Sequence, residues 1–329
     1  MEGGRGPVVP LGSLGAADRP VAGGKGAGLG ELLRAGFPVP AGFVVTTAAF
    51  REAIGALDPS GSMAAAVRGL DADDHATVGR VTAAIRERIV AAPLPAAVAA
   101  GIAAGYRGLG GGEVAGTGAG DVPVAVRSSA TAEDAADASF AGLQDSFLWV
   151  RGGERVADRL RRCWASLYSV ESVTYRLRRG LGLGLDAVAG MAMAVVVQRM
   201  VDARAAGVMF TRGPATGDRS VVTIEAAWGL GSAVASGEVT PDAWTVSKVT
   251  GEVLRRAVAS KPLRHRPDPD PAGSGVLAEE LPRELRDQPC LSDAEAQALA
   301  RLACQVERHY GTPQDIEWAL ARDLEPLDL

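Results

Sequence analysis

Apolar positions change their period several times along the chain, and each change predicts an element. Residues 24–33 carry apolar side chains at helical spacing, Pro38 and Pro40 end that run, and 43–46 is a compact, largely β-branched stretch that reads as a strand. An Ala-rich helical region over 64–102 follows, with the bland chemistry of a scaffold. Strands are predicted at 122–126 and Ser146–Val150, helices at 154–168 and 171–179, and then a strand-rich tract at 191–199, 207–211, 221–226 and 243–246. A loop rich in Pro, Asp and Gly at 267–275 precedes a long helix over Asp293–Tyr310, with Ser292 as its N-cap and Gly311 just past its end. Residues 315–320 read as a last strand. The Gly-rich tract 108–120 lacks the Walker spacing of Gly, four residues, Gly, Lys and Ser or Thr, so it reads as a surface linker and not as a phosphate loop. No internal repeat is visible.

Three segments follow from this pattern: 1–120 as an N-terminal lobe, 121–190 as a central segment, and 191–329 as a strand-rich lobe. At 329 residues the chain is long enough for such a division. A net charge of -5 argues against a large nucleic-acid footprint, so the basic run Arg159, Arg161, Arg162 is read as the wet side of a helix. Cys163, Cys290 and Cys304 share no metal-type spacing and read as reduced thiols of a cytoplasmic protein. Cys163 lies among arginines that would lower its pKa, whereas burial would leave it inert. Neither a signal-type start nor an apolar run near 18 residues is present, which predicts no secretion and no membrane span.

Two clusters carry candidate chemistry. Gly23, Gly24, Lys25 and Gly26 sit where a loop turns into a helix, so close-approaching backbone, unpaired N–H groups and a lysine charge would together suit an anion. A simple turn with a solvated lysine has the same residues. The second cluster runs from Val124 to Asp134, where a buried strand delivers Arg127 into a loop of hydroxyls and carboxylates. Its guanidinium suits bidentate contact with phosphate oxygens, or else an ion pair with Glu133 or Asp134. Near the end of the chain, Asp315 and Glu317 alternate with Ile316, which puts both carboxylates on one face of a strand.

The run RSSATAEDAADASFAGLQDSF resembles the matching segment of the phosphoenolpyruvate synthase, pyruvate phosphate dikinase and rifampin phosphotransferase family. GGKGAGLGELLRAGFPVPAGFVVTTAAF is similar to that family's opening, VVVQRMV to its adenine-side strand, and AAGVMFTRGPATGD with VVTIEAAWGLGSAVASGEVTPDAW to the two segments after it. GTPQDIEWAL resembles its acidic strand. The resemblance implies an α/β (α+β) ATP-grasp fold, with a nucleotide cleft between an N-terminal α/β lobe and a strand-rich C-terminal lobe. It further implies ATP and Mg²⁺ as ligands. Lys25 and Arg127 would contact the phosphates and carry catalysis. Gly142 and Ser146 would lie in the loop over those phosphates, Gln198 at the adenine edge and Met200 beside the ring. Asp315 and Glu317 would hold the metal, with Glu317 also at the nucleotide and Glu225 in the same metal region.

Departures are equally specific. Leu143 stands where relatives often have Gln, and Arg212-Gly213 replaces an acidic or Asn residue. Relatives continue past the acidic strand to a Gln and an Arg that reach the phosphates, and neither is expected here. His75, His265 and His309 lack the Gly-rich setting of the family's phosphohistidine, so all three are expected to be structural or solvated. The expected activity is an ATP-dependent, dikinase-type phosphotransferase component whose histidine domain is a separate polypeptide. Two alternatives stand beside it: an ATP-grasp kinase or ligase acting on a small molecule, and a catalytically impaired nucleotide-binding interaction module.

Overall fold

The structure, a computed structural model, describes residues 5–110, 122–131, 134–135, 138–139, 145–179, 192–270 and 273–322. Two compact units divide the chain, 1–200 and 201–329.

In the first unit the chain runs β1 (Val8–Pro10), α1 (Arg19–Arg34), β2 (Gly42–Val45), α2 (Thr47–Leu57), α3 (Ser62–Arg68), α4 (His75–Ala91) and α5 (Ala96–Leu109). It continues through β3 (Val124–Ala130), β4 (Asp134–Ala135), β5 (Ala138–Ser139), β6 (Ser146–Val150), α6 (Gly153–Ser166), α7 (Val170–Arg179) and β7 (Met193–Arg199). Five strands form one sheet in the order β1-β2-β7-β3-β6, antiparallel at every pairing. The central strand β7 is buried on both faces. Ala194 and Val196 pack with Leu11, Leu14 and Val44 on the α1 side, while Met193, Val195 and Val197 enter a larger core with Phe50, Ile85, Ile102 and Trp164. That double burial explains why its sequence is a continuous apolar run and not an alternation.

β7 also corrects the segment reading, which groups 191–199 with the later strand-rich tract. Its partners are β2 and β3, drawn from earlier in the chain, and such long-range pairing leaves no local pattern to read. The expected wet face of α6 is present only in part: Arg162 is exposed and pairs with Asp158, as does Arg159, but Arg159 and Arg161 are half-buried, and Val156, Leu160, Cys163 and Trp164 point into the core. Cys163 is fully buried, its thiol pushed well above the ordinary range by burial and then by the charge of Asp145. It is therefore the inert thiol of the two readings.

Helix α1 contains one break. Gly23 has φ 68°, and a Cβ there would lie 2.0 Å from the Ser129 carbonyl oxygen, so only glycine fits. The break leaves Ala22 and Gly26 without regular helical partners, and Ser129 of β3 takes both: its hydroxyl donates to the Ala22 carbonyl at 2.8 Å and accepts from the Gly26 N–H at 3.0 Å.

In the second unit the order is β8 (Ala203–Phe210), β9 (Val221–Trp228), α8 (Ser232–Ala235), β10 (Asp242–Ser247), β11 (Val253–Ala257), β12 (Leu263–Pro267), β13 (Val276–Glu280), α9 (Arg283–Arg286), α10 (Asp293–Tyr310) and β14 (Asp315–Ala321). A five-stranded antiparallel sheet, β11-β10-β9-β8-β14, packs one face on α10 through Met209, Ile224, Trp244, Leu299 and Ala303. α10 begins and ends as its sequence predicts. Ser292 accepts from Glu295 N–H while the Glu295 carboxylate accepts from Ser292 N–H, and Gly311 closes the helix at φ 71°. The sequence reading omits β11 and the β12–β13 hairpin. β11 is half-buried only at Val253 and otherwise exposed, and β12 pairs Arg264 and Arg266 with Glu279, so neither shows an apolar alternation. Among the described residues no single helix is long and apolar enough to cross a membrane.

Gly23→Ala should cost roughly 3 kcal/mol through strain and clash, and Ser129→Ala about 2 kcal/mol through two unpartnered backbone groups; urea-denaturation midpoints check both. Asp145 is held above the ordinary carboxylate range by burial, against the pull of Arg86 and Arg162. A carboxyl whose folded pKa is raised binds its proton more tightly when folded, so it loses stability as pH rises from about 3.9 to the folded value. Asp145→Asn should therefore stabilise the protein at pH 7, with the gain shrinking below about pH 4 in thermal melts.

Candidate functional site

The α1 face of the first sheet collects most of the residues singled out from the sequence. Paired residues of an antiparallel ladder share a face, and Arg127 is paired with Ser146 on β6 and Val196 on β7. Val196 packs in the cluster beneath α1, so Arg127 and Ser146 stand on that same side. One residue further along β3, Ser129 holds the break in α1, and just past the break the Lys25 ammonium donates to the Ser128 carbonyl at 3.3 Å. Lys25 and Arg127, remote in sequence, are thus brought to adjacent positions by β3 lying under α1. Arg127 is half-buried and Ser146 exposed.

Gln198 lies on the same face, paired with Ala125 and Gly42, and its amide donates to the Pro40 carbonyl at 3.1 Å. Met200 follows at the end of β7, half-buried, its N–H donating to the Pro123 carbonyl at 2.9 Å. From the Arg127–Val196 pair to Met200 is four residues of strand, roughly 13 Å. The series Lys25, Arg127, Gln198, Met200 therefore runs in order along one sheet: two cations, then an amide, then a thioether. Gly142 lies outside the described residues, as do Glu133 and Leu143; of Asp134 only the backbone is described.

The second unit has its own polar face. Glu317 on β14 pairs with Val208 on β8, which pairs with Glu225 on β9; one step along, Asp315 pairs with Phe210, and Phe210 with Thr223. All six lie opposite the α10-packed face. Asp315 and Glu317 are exposed and Glu225 half-buried. Carboxylate oxygens are the right donors for a hard divalent cation. Among the described residues no group of three or more His, Cys, Asp or Glu is close enough to hold a metal alone. Arg212 follows β8, exposed, beside a cavity of about 440 Å³ that Asp315 also lines.

A third group was not foreseen. The Ser232 hydroxyl lies 2.8 Å from Nδ1 of His265, whose Nε2 lies 3.3 Å from a Glu238 carboxylate oxygen. His265 is 8% exposed, and its carbonyl also accepts from the Leu230 N–H at 2.9 Å, so β12 is tied to the α8 segment through both backbone and side chain. His75 and His309 are both exposed. Ser129 was likewise passed over, although its hydroxyl stands in the RSSAT run; no sequence signal distinguishes it from Ser128.

The comparisons with known proteins agree on one family. The model of the pyruvate phosphate dikinase AMP/ATP-binding domain matches residues 19–327. The chain is similar to a probable phosphoenolpyruvate synthase of Methanothermobacter thermautotrophicus, 43% identical over 307 residues, covering 93% of this chain and 43% of the relative. It is similar also to a rifampicin phosphotransferase of a Streptomyces species, 42% identical over 317 residues, covering 96% and 34%. A phosphoenolpyruvate synthase of Aeropyrum pernix is 38% identical over 334 residues, covering 93% and 39%. The chain spans less than half the length of these curated relatives. With two antiparallel sheets, a glycine-broken helix beside an arginine-bearing strand, and a family match over nearly all its length, the chain belongs to the pyruvate phosphate dikinase AMP/ATP-binding domain family.

Proposed function

We propose that this chain is the ATP-binding component of a dikinase-type phosphotransferase. The observation that carries the reading is the ordered series on the first sheet, in which Lys25 and Arg127 stand together and Gln198 and Met200 follow along the strand. Lys25 supplies a point charge beside the N-terminal end of the unbroken part of α1, and Arg127 a rigid fork. Both neutralise a phosphate chain as charge redistributes in the transition state, and this positioning is most of what phosphoryl transfer asks of a protein. Ser146 offers a hydroxyl from the strand beside Arg127, and Gly142 a backbone N–H. Gln198 and Met200 take the adenine, the amide at its edge and the thioether against its face.

Asp315 and Glu317 would hold Mg²⁺, with Glu225 across the intervening strand, and the ion would supply charge neutralisation at the phosphate oxygens. In this reading the α–β bond of ATP breaks as a histidine on a separate domain takes the terminal pyrophosphoryl group and AMP leaves. Water then cleaves the β–γ bond, releasing inorganic phosphate and leaving the β-phosphoryl group on the histidine.

Calorimetry with ATP and Mg²⁺ tests the binding directly. Lys25→Ala and Arg127→Ala should each weaken ATP roughly 10-fold to 100-fold, and unchanged affinity in both would remove the phosphate assignment. Asp315→Asn and Glu317→Gln should abolish the gain in ATP affinity that Mg²⁺ brings while leaving metal-free binding within about twofold. Phosphorus NMR of protein with ATP and a histidine-domain partner separates the chemistries: AMP with phosphate supports the dikinase, ADP supports a kinase or ligase, and binding without turnover supports an interaction module.

A further inference from the structure

Thr211 is fully buried and tied twice to Gln314: its N–H donates to the Gln314 carbonyl at 3.0 Å, and its hydroxyl accepts from the Gln314 N–H at 2.7 Å. This carries the β8–β14 pairing one step beyond Phe210 and Asp315 and fixes where the chain leaves the sheet. Immediately afterwards the turn is closed by Gly213 N–H donating to the Asp218 carbonyl and Gly217 N–H to the Gly213 carbonyl, both at 2.8 Å. Arg212 is the residue between these two anchored points. Its side chain is exposed and has no hydrogen bond or ion pair among the described residues. It borders the cavity of about 440 Å³ together with Phe210, Pro214, Pro313, Gln314 and Asp315.

A guanidinium on a pinned backbone, beside an exposed carboxylate that it does not pair with, keeps all its donors for something that enters the cavity. The ligand class follows from the neighbours. Asp315 and Glu317 on the adjoining strand would suit a divalent cation, which would supply charge neutralisation at the phosphate oxygens of a nucleotide. An arginine next to those carboxylates would share the phosphates that such a cation neutralises, and AMP lacks the two beyond its α-phosphate. We propose that Arg212 is a phosphate-contacting residue of this chain that grips the terminal phosphates of the nucleotide, so that it distinguishes ATP from AMP. The inference rests on the ATP-binding reading given above, and it makes Arg212-Gly213 a functional substitution and not a loss.

The test is the affinity of the full chain for ATP and for AMP, with Mg²⁺, in the native protein, Arg212→Ala, Arg212→Lys and Lys25→Ala. Arg212→Ala should weaken ATP roughly tenfold and AMP less than about twofold, with Arg212→Lys between native and Ala for ATP. Unchanged melting temperatures would confine the effect to binding, as an exposed side chain predicts. If the native protein binds ATP and Lys25→Ala weakens it, but Arg212→Ala leaves ATP unchanged or weakens ATP and AMP equally, the role of Arg212 is overturned and the ATP reading stands. If the native protein binds neither nucleotide, the parent reading falls and takes this one with it.

Discussion

The Ser129 hydroxyl donates to one side of the break in α1 and accepts from the other, and the local geometry of the candidate phosphate site depends on that pair of hydrogen bonds. A glycine with left-handed backbone would on its own be a hinge. Held by a buried strand, it becomes a fixed corner from which the rest of α1 starts, with Lys25 pointed back at the backbone of β3. The arrangement places two cations side by side without letting either unit of secondary structure distort, because strain at Gly23 is absorbed by the one residue type that has none there. Arg127 comes from the same strand, so the backbone positions from which the two cations depart are fixed by β3 and its hydrogen bonds to α1.

The second unit separates its tasks by face. Apolar residues of β8, β9, β10 and β14 pack on α10, which is capped at both ends, and this leaves the opposite face to carry Glu225, Asp315 and Glu317. Carboxylates there cost little because they stay in contact with water, whereas the same residues turned inward would need partners. Alternation with period two is therefore what makes an acidic face compatible with a well-packed sheet.

Legibility in the sequence followed the locality of the signal. α10 was readable to the residue because its cap, its periodicity and its terminal glycine are all local. Asp315 and Glu317 were readable as sharing a face for the same reason. β7 was readable as a strand but not as a member of the first sheet, since its neighbours lie far back in the chain. β11 and β12 were missed because edge and hairpin strands that bury little need no apolar alternation. Lys25, Arg127, Gln198 and Met200 were found as separate motifs, and the order in which they lie along one sheet became visible only with the register. The Ser232–His265–Glu238 group had no local signal, because His265 lies 33 and 27 residues from its two partners in the chain.

The place of β7 has a bearing on how the protein is made. It sits between β2 and β3 and supplies the apolar side chains that both faces of the sheet close upon, yet it is the last strand of its unit to leave the ribosome. Until then, β2 and β3 have no common partner, and the early helices have only part of the surface they will cover. Assembly of the first unit must therefore wait for nearly 200 residues of nascent chain, with exposed β-branched segments in the interval that invite pairing with other chains. Putting the latest strand in the middle thus lengthens the interval during which apolar surface is exposed as the chain is made.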